Sequence, residues 1–225
     1  MVLLIIAALI WLGIHIGVAG TRLREVIVMR IDEVPFRGVF SLFSIAALWF
    51  LVRAWSTAET TPLWYAPPWL RMVLAVVMLV AFVLFVTSVS QRNPTMLGAE
   101  TAAVTEPRGI QRISRHPMLW SFALWAGVHI VGNGDTTAII FFGVFLVTAL
   151  AGMPSIDAKL ERRDPARWRA LSAATSIVPF VAIAQGRNRF VLGEFGWLGP
   201  LIAVLGWGIV LRLHEWLFGV APVAM

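Results

Sequence analysis

Cysteine is absent from the 225 residues, which excludes disulfides, thiolate metal sites, iron–sulfur clusters and the covalent attachment of a c-type haem. Charge is scarce as well. Asp, Glu, Lys and Arg make up 13% of the chain and hydrophobic residues 59%, whereas a soluble domain is about a quarter charged. With a mean hydropathy of +0.83, the chain is read as an integral membrane protein. Acid is the scarcer charge, 12 residues against 18 basic ones, and the net charge is +6. The basic residues are spread through the loops, which fits lipid headgroups and not nucleic acid. No phosphate-cradling glycine loop, carboxylate pair or Ser-His-Asp set is evident. Gly13, Gly17 and Gly20 instead mark close helix packing.

What the chain does have is long apolar runs. They predict an all-α, polytopic bundle of about six transmembrane helices in one domain covering residues 1–225. The expected spans are 2–19, 39–55, 69–90, 117–131, 136–153 and 195–220, each near the length needed for a core of about 30 Å at 1.5 Å per residue. The fourth opens at Pro117 and stops at Gly132-Asn133-Gly134, a tight hairpin signal. The first lacks a basic leader region and a good cleavage site, so it is expected to be a retained helix.

Alternating the loops puts fifteen of the eighteen basic residues on one side: Arg22, Arg24, Arg30, Arg37, Arg92, Arg108, Arg112, Arg115, Lys159, Arg162, Arg163, Arg167, Arg169, Arg187 and Arg189. Only Arg53, Arg71 and Arg212 fall elsewhere. The positive-inside rule makes the rich side cytoplasmic and both termini periplasmic in a cell inner membrane. On the cytoplasmic side, Asp164-Pro165 should cap and open a short helix. Residues 176–183 are apolar but too short to span, and should form an interfacial or re-entrant piece under the bundle.

The chemistry-bearing residues inside the spans are histidines. His15 interrupts the first span and His129 the fourth, with no carboxylate in either. Ionisable groups in a bilayer face the bundle interior and serve a site. Facing helix histidines without a carboxylate point to haem iron more than to a proton path, and without cysteine such a haem is b-type. Each histidine follows a tryptophan by four residues (Trp11, Trp125), so each has a flat apolar neighbour on its own helix face. His116 stands at the cap of the fourth helix, about 20 Å along it from His129, so those two cannot share one iron. Depth along the helices leaves either of them open as the partner of His15. His214, in Leu213-His214-Glu215-Trp216, reads as an interfacial residue at the periplasmic surface. Arg108, Arg112 and Arg115 could face haem propionates, a nucleotide phosphate or lipid headgroups.

The stretch Gly109-Ile110-Gln111-Arg112-Ile113-Ser114-Arg115-His116-Pro117, followed by Leu124-Trp125 and His129, resembles the core of the NnrU family and of the related plant ζ-carotene isomerases. Ile14-His15 ahead of Arg22-Leu23-Arg24, Thr175-Ser176-Ile177-Val178-Pro179-Phe180 with Gln185-Gly186-Arg187, and Leu213-His214 agree in the same order. In the isomerase branch the resemblance implies haem b on two helix histidines matching His15 and His129, which breaks the tie, and isomerisation of the central cis double bond of a carotenoid. That branch carries a cysteine where this chain has Ala126, so a thiol-based ligand switch is unavailable. The ending Leu217-Phe218-Gly219-Val220 is more similar to the bacterial branch, which is associated with nitrite and nitric oxide respiration. The Arg-His-Pro element also resembles membrane methyltransferases, where Arg115 and His116 would meet S-adenosylmethionine. The expectation is therefore an inner-membrane haem protein linked to denitrification. His15 and His129 would be the iron ligands, with Arg112, Arg115 and His116 lining the cytoplasmic side. A carotenoid isomerase or a methyltransferase is the alternative, and a hydrophobic small molecule the expected substrate.

Overall fold

A computed structural model describes residues 1–90 and 106–223; Arg92 lies outside the described residues. Among them the chain is helical, with a single isolated bridge between Pro62 and Asp135. Four helices are long and apolar enough to cross a membrane, or five if a bent pair near the N-terminus counts as one span.

The first span begins as α1, Val2–Leu12, whose buried residues Leu4, Ala7, Ala8 and Trp11 lie on one face at helical spacing. It loosens into a π-helical turn over Gly13–Val18, where the Ala19 N–H bonds the Ile14 carbonyl at 3.0 Å. The chain then bends by 75° into α2, Leu23–Ile31. Helix α3, Glu33–Ser56, packs on α1 through Ala47, Leu51 and Ala54, small side chains that let the backbones approach.

Helix α4, Pro68–Ser90, precedes a one-turn α5, Ile110–Ile113, and then α6, Pro117–Asn133. At 17 residues, about 25 Å, α6 is short for a span, but it packs extensively against α4 on one side and α7 on the other. The predicted hairpin after it is present. Gly134, at φ +68°, accepts bonds at its carbonyl from the Leu63 and Trp64 N–H groups. Asp135 then caps α7, accepting from the Ala138 N–H at 2.8 Å.

Helix α7 runs Thr136–Arg163, ten residues past the expected end at Met153. Pro154 lies inside it and removes one ladder bond without ending the helix. The extension carries Asp157, Lys159 and Arg162 down to the basic end, where they are anchored. Lys159 donates to the Ala19 carbonyl, Ser155 Oγ to the Gly20 carbonyl at 2.8 Å, and Arg162 pairs with Glu25. Donors on α7 thus satisfy carbonyls left open at the end of the first span.

As expected, Asp164 caps α8, Pro165–Ala174, accepting from the Arg167 N–H. Residues 176–183 do pack under the bundle. The Ile177 carbonyl accepts from Ser114 Oγ at 2.7 Å and from Trp120 Nε1 at 2.9 Å, and the Phe180 N–H bonds Ile113. That segment ends in a one-turn α9, Val181–Ala184, and a 3-10 turn at Leu192–Glu194 leads to α10, Leu198–Phe218. Helix α10 packs against α4, with Trp207 Nε1 on the Ala75 carbonyl and Arg71 on the Ala221 carbonyl. From neighbour to neighbour the principal helices therefore run α3, α1, α7, α6, α4, α10.

Candidate functional site

The sequence-predicted residues fall into two groups at different depths. The deeper group is the histidines of the spanning helices. His15 sits inside the π-helical turn, a distortion concentrated at functional sites. Its Nδ1 donates to the Trp11 carbonyl at 3.0 Å, its ring stacks on Trp11 at 3.9 Å, and Phe40 meets it edge-on. Trp11 is itself held by its Nε1–H on Thr148 Oγ1 at 3.1 Å.

His129 repeats the arrangement on α6. Its Nδ1 donates to the Trp125 carbonyl at 2.7 Å and its ring stacks on Phe142 at 4.7 Å. Trp125 lies 5.3 Å away, and Phe145 joins the two tryptophan neighbourhoods, 4.9 Å from Trp11 and 5.4 Å from Trp125. The flat neighbours expected four residues before each histidine are thus present.

A third histidine, expected at the periplasmic interface, lies beside His129. His214 on α10 lies with its ring centre 6.3 Å from that of His129, the planes 26° apart. Its Nδ1 donates to the Val220 carbonyl at 2.7 Å. A carbonyl can only accept, so in all three histidines Nδ1 carries a hydrogen and Nε2 is the nitrogen left for another partner. This is how metal-binding histidines are oriented, by a second-shell acceptor on the far nitrogen. Imidazoles turned in this way, in an aromatic and largely apolar setting, are the type of donor that a haem iron takes.

His15 and His129 lie on α1 and α6, which both pack on α7. Phe145 of α7 contacts the tryptophan neighbours of both, Trp11 and Trp125.

The second group is at the basic end, where Arg112, Arg115 and His116 are engaged by carboxylates of the chain. Asp157 on α7 accepts from Arg115 through Nε and Nη2, the latter at 2.7 Å, and from His116 Nε2 at 2.7 Å. His116 is 2% exposed, and the Arg115 guanidinium also lies over the Trp168 ring. Arg112 is bidentate to Glu194, with its third nitrogen on Asn188 Oδ1. The Arg112 guanidinium and the Gly109 N–H hold the Glu194 carboxyl down at about 2.

These contacts tie α6 to α7 and α5 to the turn at Glu194, so the three residues build the floor of the bundle. A ligand at Arg115 and His116, as the methyltransferase resemblance implies, would have to compete with Asp157. Sequence reasoning missed Asp157 and Glu194. Asp157 could have been noticed as an acid two residues from Lys159, just past an apolar run that Pro154 seemed to close. Among the described residues no group of three or more His, Asp or Glu side chains could hold a metal ion.

The chain was compared with known proteins. The family model described as "NnrU protein" matches residues 3–222. The chloroplastic 15-cis-zeta-carotene isomerase of Zea mays is 24% identical over 196 residues, 84% of this chain and 52% of that protein. The Arabidopsis thaliana protein of the same name is 32% identical over 95 residues, 40% of this chain and 26% of that protein. The chain thus spans about half the length of the maize relative or less. No solved structure gives a significant match.

Proposed function

Since the chain belongs to the NnrU protein family, we propose that it is a b-type haem protein of the membrane, centred on His129, that isomerises a cis double bond in a long apolar polyene of the carotenoid class. The observation that carries this reading is the setting of His129, an imidazole fixed by the Trp125 carbonyl and walled by Phe142 and Trp125 within the spanning helices. The relatives named 15-cis-zeta-carotene isomerase support the substrate class. Haem bound there would supply an iron able to exchange electron density with a conjugated π-system.

The chain's own residues do the rest. Trp125, Phe142 and Phe145 present flat faces to a polyene and keep water from it. Cis–trans isomerisation transfers no atoms, so the absence of a nucleotide loop or carboxylate pair costs the reaction nothing. Exposed apolar side chains on α4 and α10, among them Val76, Val80, Ile209 and Leu213, mark lipid-facing surface from which an apolar substrate would arrive. We place the arginine-rich end in the cytoplasm of a bacterial inner membrane, with the termini on the opposite side.

One observation favours a second reading, a haem protein of nitrite and nitric oxide respiration. Position 126 is a fully buried alanine, with no thiol to regulate an isomerase.

The deciding experiment is the visible absorbance of the protein purified from haem-supplied cells, before and after dithionite, beside conversion of 15-cis-ζ-carotene in cells that accumulate it. A Soret band with split reduced bands and conversion to the trans isomer is the expected result. A Soret band without conversion, but shifted by nitric oxide, selects the second reading. No haem uptake at all overturns both.

A further inference from the structure

We propose that α10 is the seam through which two copies of this chain pair side by side in the membrane, with Arg212 of each copy meeting the partner's Glu215. The pairing goes beyond the haem and isomerase reading and does not depend on it.

Helix α10 has two opposite faces. At about 100° per residue, Gly199, Ala203, Gly206 and Trp207 share one of them. That face lies against α4: Gly199 stands near Thr87 and Ser90, Gly206 near Phe82, Ala203 is fully buried, and Trp207 Nε1 bonds the Ala75 carbonyl. The other face carries Leu198, Leu201, Leu205, Gly208, Arg212 and Glu215, whose spacing alternates between three and four residues. This is the heptad spacing of a two-helix seam. The three leucines are exposed, as are Arg212 and Glu215, and α4 is the one extensive neighbour of α10.

Lipid alone does not account for this face. The exposed strip of α4 from Val73 to Val89 carries no charge, as a surface covered by acyl chains requires. On α10 an arginine and a glutamate stand on the exposed side, and among the described residues neither has a hydrogen bond or an ion pair. Arg212 lies about 9 Å and Glu215 about 4.5 Å below the helix end at Phe218. A helical Cβ tilts toward the N-terminus, so the Arg212 side chain starts out pointing away from the nearer membrane surface. Ionisable groups within a span pair with one another, and these two have not paired within the chain.

A second copy supplies the missing partners. Two copies inserted the same way are related by a twofold axis along the membrane normal, which sets α10 parallel to its equivalent, each residue layer facing its own copy. The Arg212 layer is followed three residues on, about 4.5 Å, by the Glu215 layer. Each guanidinium then reaches the partner's carboxylate, and the four charges cancel across the seam. Below them Gly208 opens a groove between Leu205 and Arg212, and nothing lies within 4 Å of where its Cβ would stand. A missing side chain at a seam position lets two backbones approach, while the leucine layers close the rest. A polar residue on such a seam also fixes the register of the two helices.

The chain has no cysteine, so a single introduced one reports its own neighbours. In native membranes treated with copper phenanthroline, full-length Leu205→Cys should run as a covalent dimer on a denaturing gel. Ile45→Cys, equally apolar and exposed but on α3 at the other edge of the bundle, should stay at 24.8 kDa. In the Leu205→Cys background, Arg212→Glu should reduce the dimer band about tenfold, because like charges facing each other across an interface are costly, and adding Glu215→Arg should restore it. Restoration by the exchanged pair also shows that the fold survives both changes. Equal dimer bands from Leu205→Cys and Ile45→Cys, or a charge exchange that fails to restore the band, overturns the pairing. So does a Leu205→Cys chain that stays monomeric; if native mass spectrometry then finds phosphatidylglycerol bound to the wild type and lost in Arg212→Ala, the face belongs to anionic lipid.

Discussion

Asp157→Ala should be among the most damaging substitutions in the chain, although it bonds none of the three spanning-helix histidines. The Asp157 carboxylate accepts from Arg115 Nε and Nη2 and from His116 Nε2, and these side chains are 9%, 10% and 1% exposed. Removing it leaves a buried guanidinium without its counter-charge and a buried ring N–H without an acceptor. Breaking a buried pair from one side costs about 3–5 kcal/mol. Replacing both partners with apolar groups of similar volume costs far less, because no charge is left stranded. Arg115→Met with Asp157→Ala should therefore be less destabilised than Asp157→Ala alone, with a coupling of about 2 kcal/mol or more in the double-mutant cycle. Unfolding in mild detergent, followed through tryptophan fluorescence, measures all four corners. Additive single and double costs, or an Asp157→Ala variant within about 1 kcal/mol of wild type, would refute the claim that this cluster fastens α6 to α7.

Two further outcomes follow from other contacts. Glu194 is held at about 2, below its ordinary 4.5, first by the Arg112 guanidinium and then by the Gly109 N–H. A depressed carboxyl contributes stability that is complete above its unfolded value and is lost as pH falls through the folded one, so that share should fade between about pH 4.5 and 2. Glu194→Gln should flatten acid unfolding in that window and open the α5 segment to protease at neutral pH. Gly134→Ala should cost at least about 2 kcal/mol, since a left-handed backbone alone costs an L-residue about 1–2. The added Cβ would also come within 2.2 Å of the Trp64 carbonyl oxygen. Loss of thermal stability measures it, and an unchanged midpoint would show that the hairpin relaxes freely.

The elements were legible where one physical rule decided them. Apolar runs located most spans, α7's end and α3's start apart, within a few residues, because a single segment satisfies its own backbone in lipid only as a helix. Asp164-Pro165 and the Gly134 turn announced themselves by capping and by left-handed backbone. The end of α7 was not legible. Pro154 followed by charged residues reads as a stop, yet the helix continues because Asp157, Lys159 and Arg162 find partners on neighbouring elements once the bundle has formed. The π-helical turn around His15 was hidden for a related reason. Hydrophobicity is uniform along 2–19, so no periodicity signals where the ladder slips by one residue.

The histidines show the same divide between what lies along a helix and what lies across a bundle. Residence in a span and, for His15 and His129, the carbonyl and the tryptophan four residues back are properties of a single helix, and the tryptophans could be read from Trp11-His15 and Trp125-His129. Which histidine faces which depends on lateral order, and no one-dimensional pattern carries that. Depth arithmetic could compare His15 with His129 along their own helices, but it could not show that α1 and α6 both pack on α7. His214, four residues from the end of α10, could be placed near the interface from its sequence position, but its neighbour His129 on another helix could not. The anchors of α10 on α4 become visible only when the two helices are laid together.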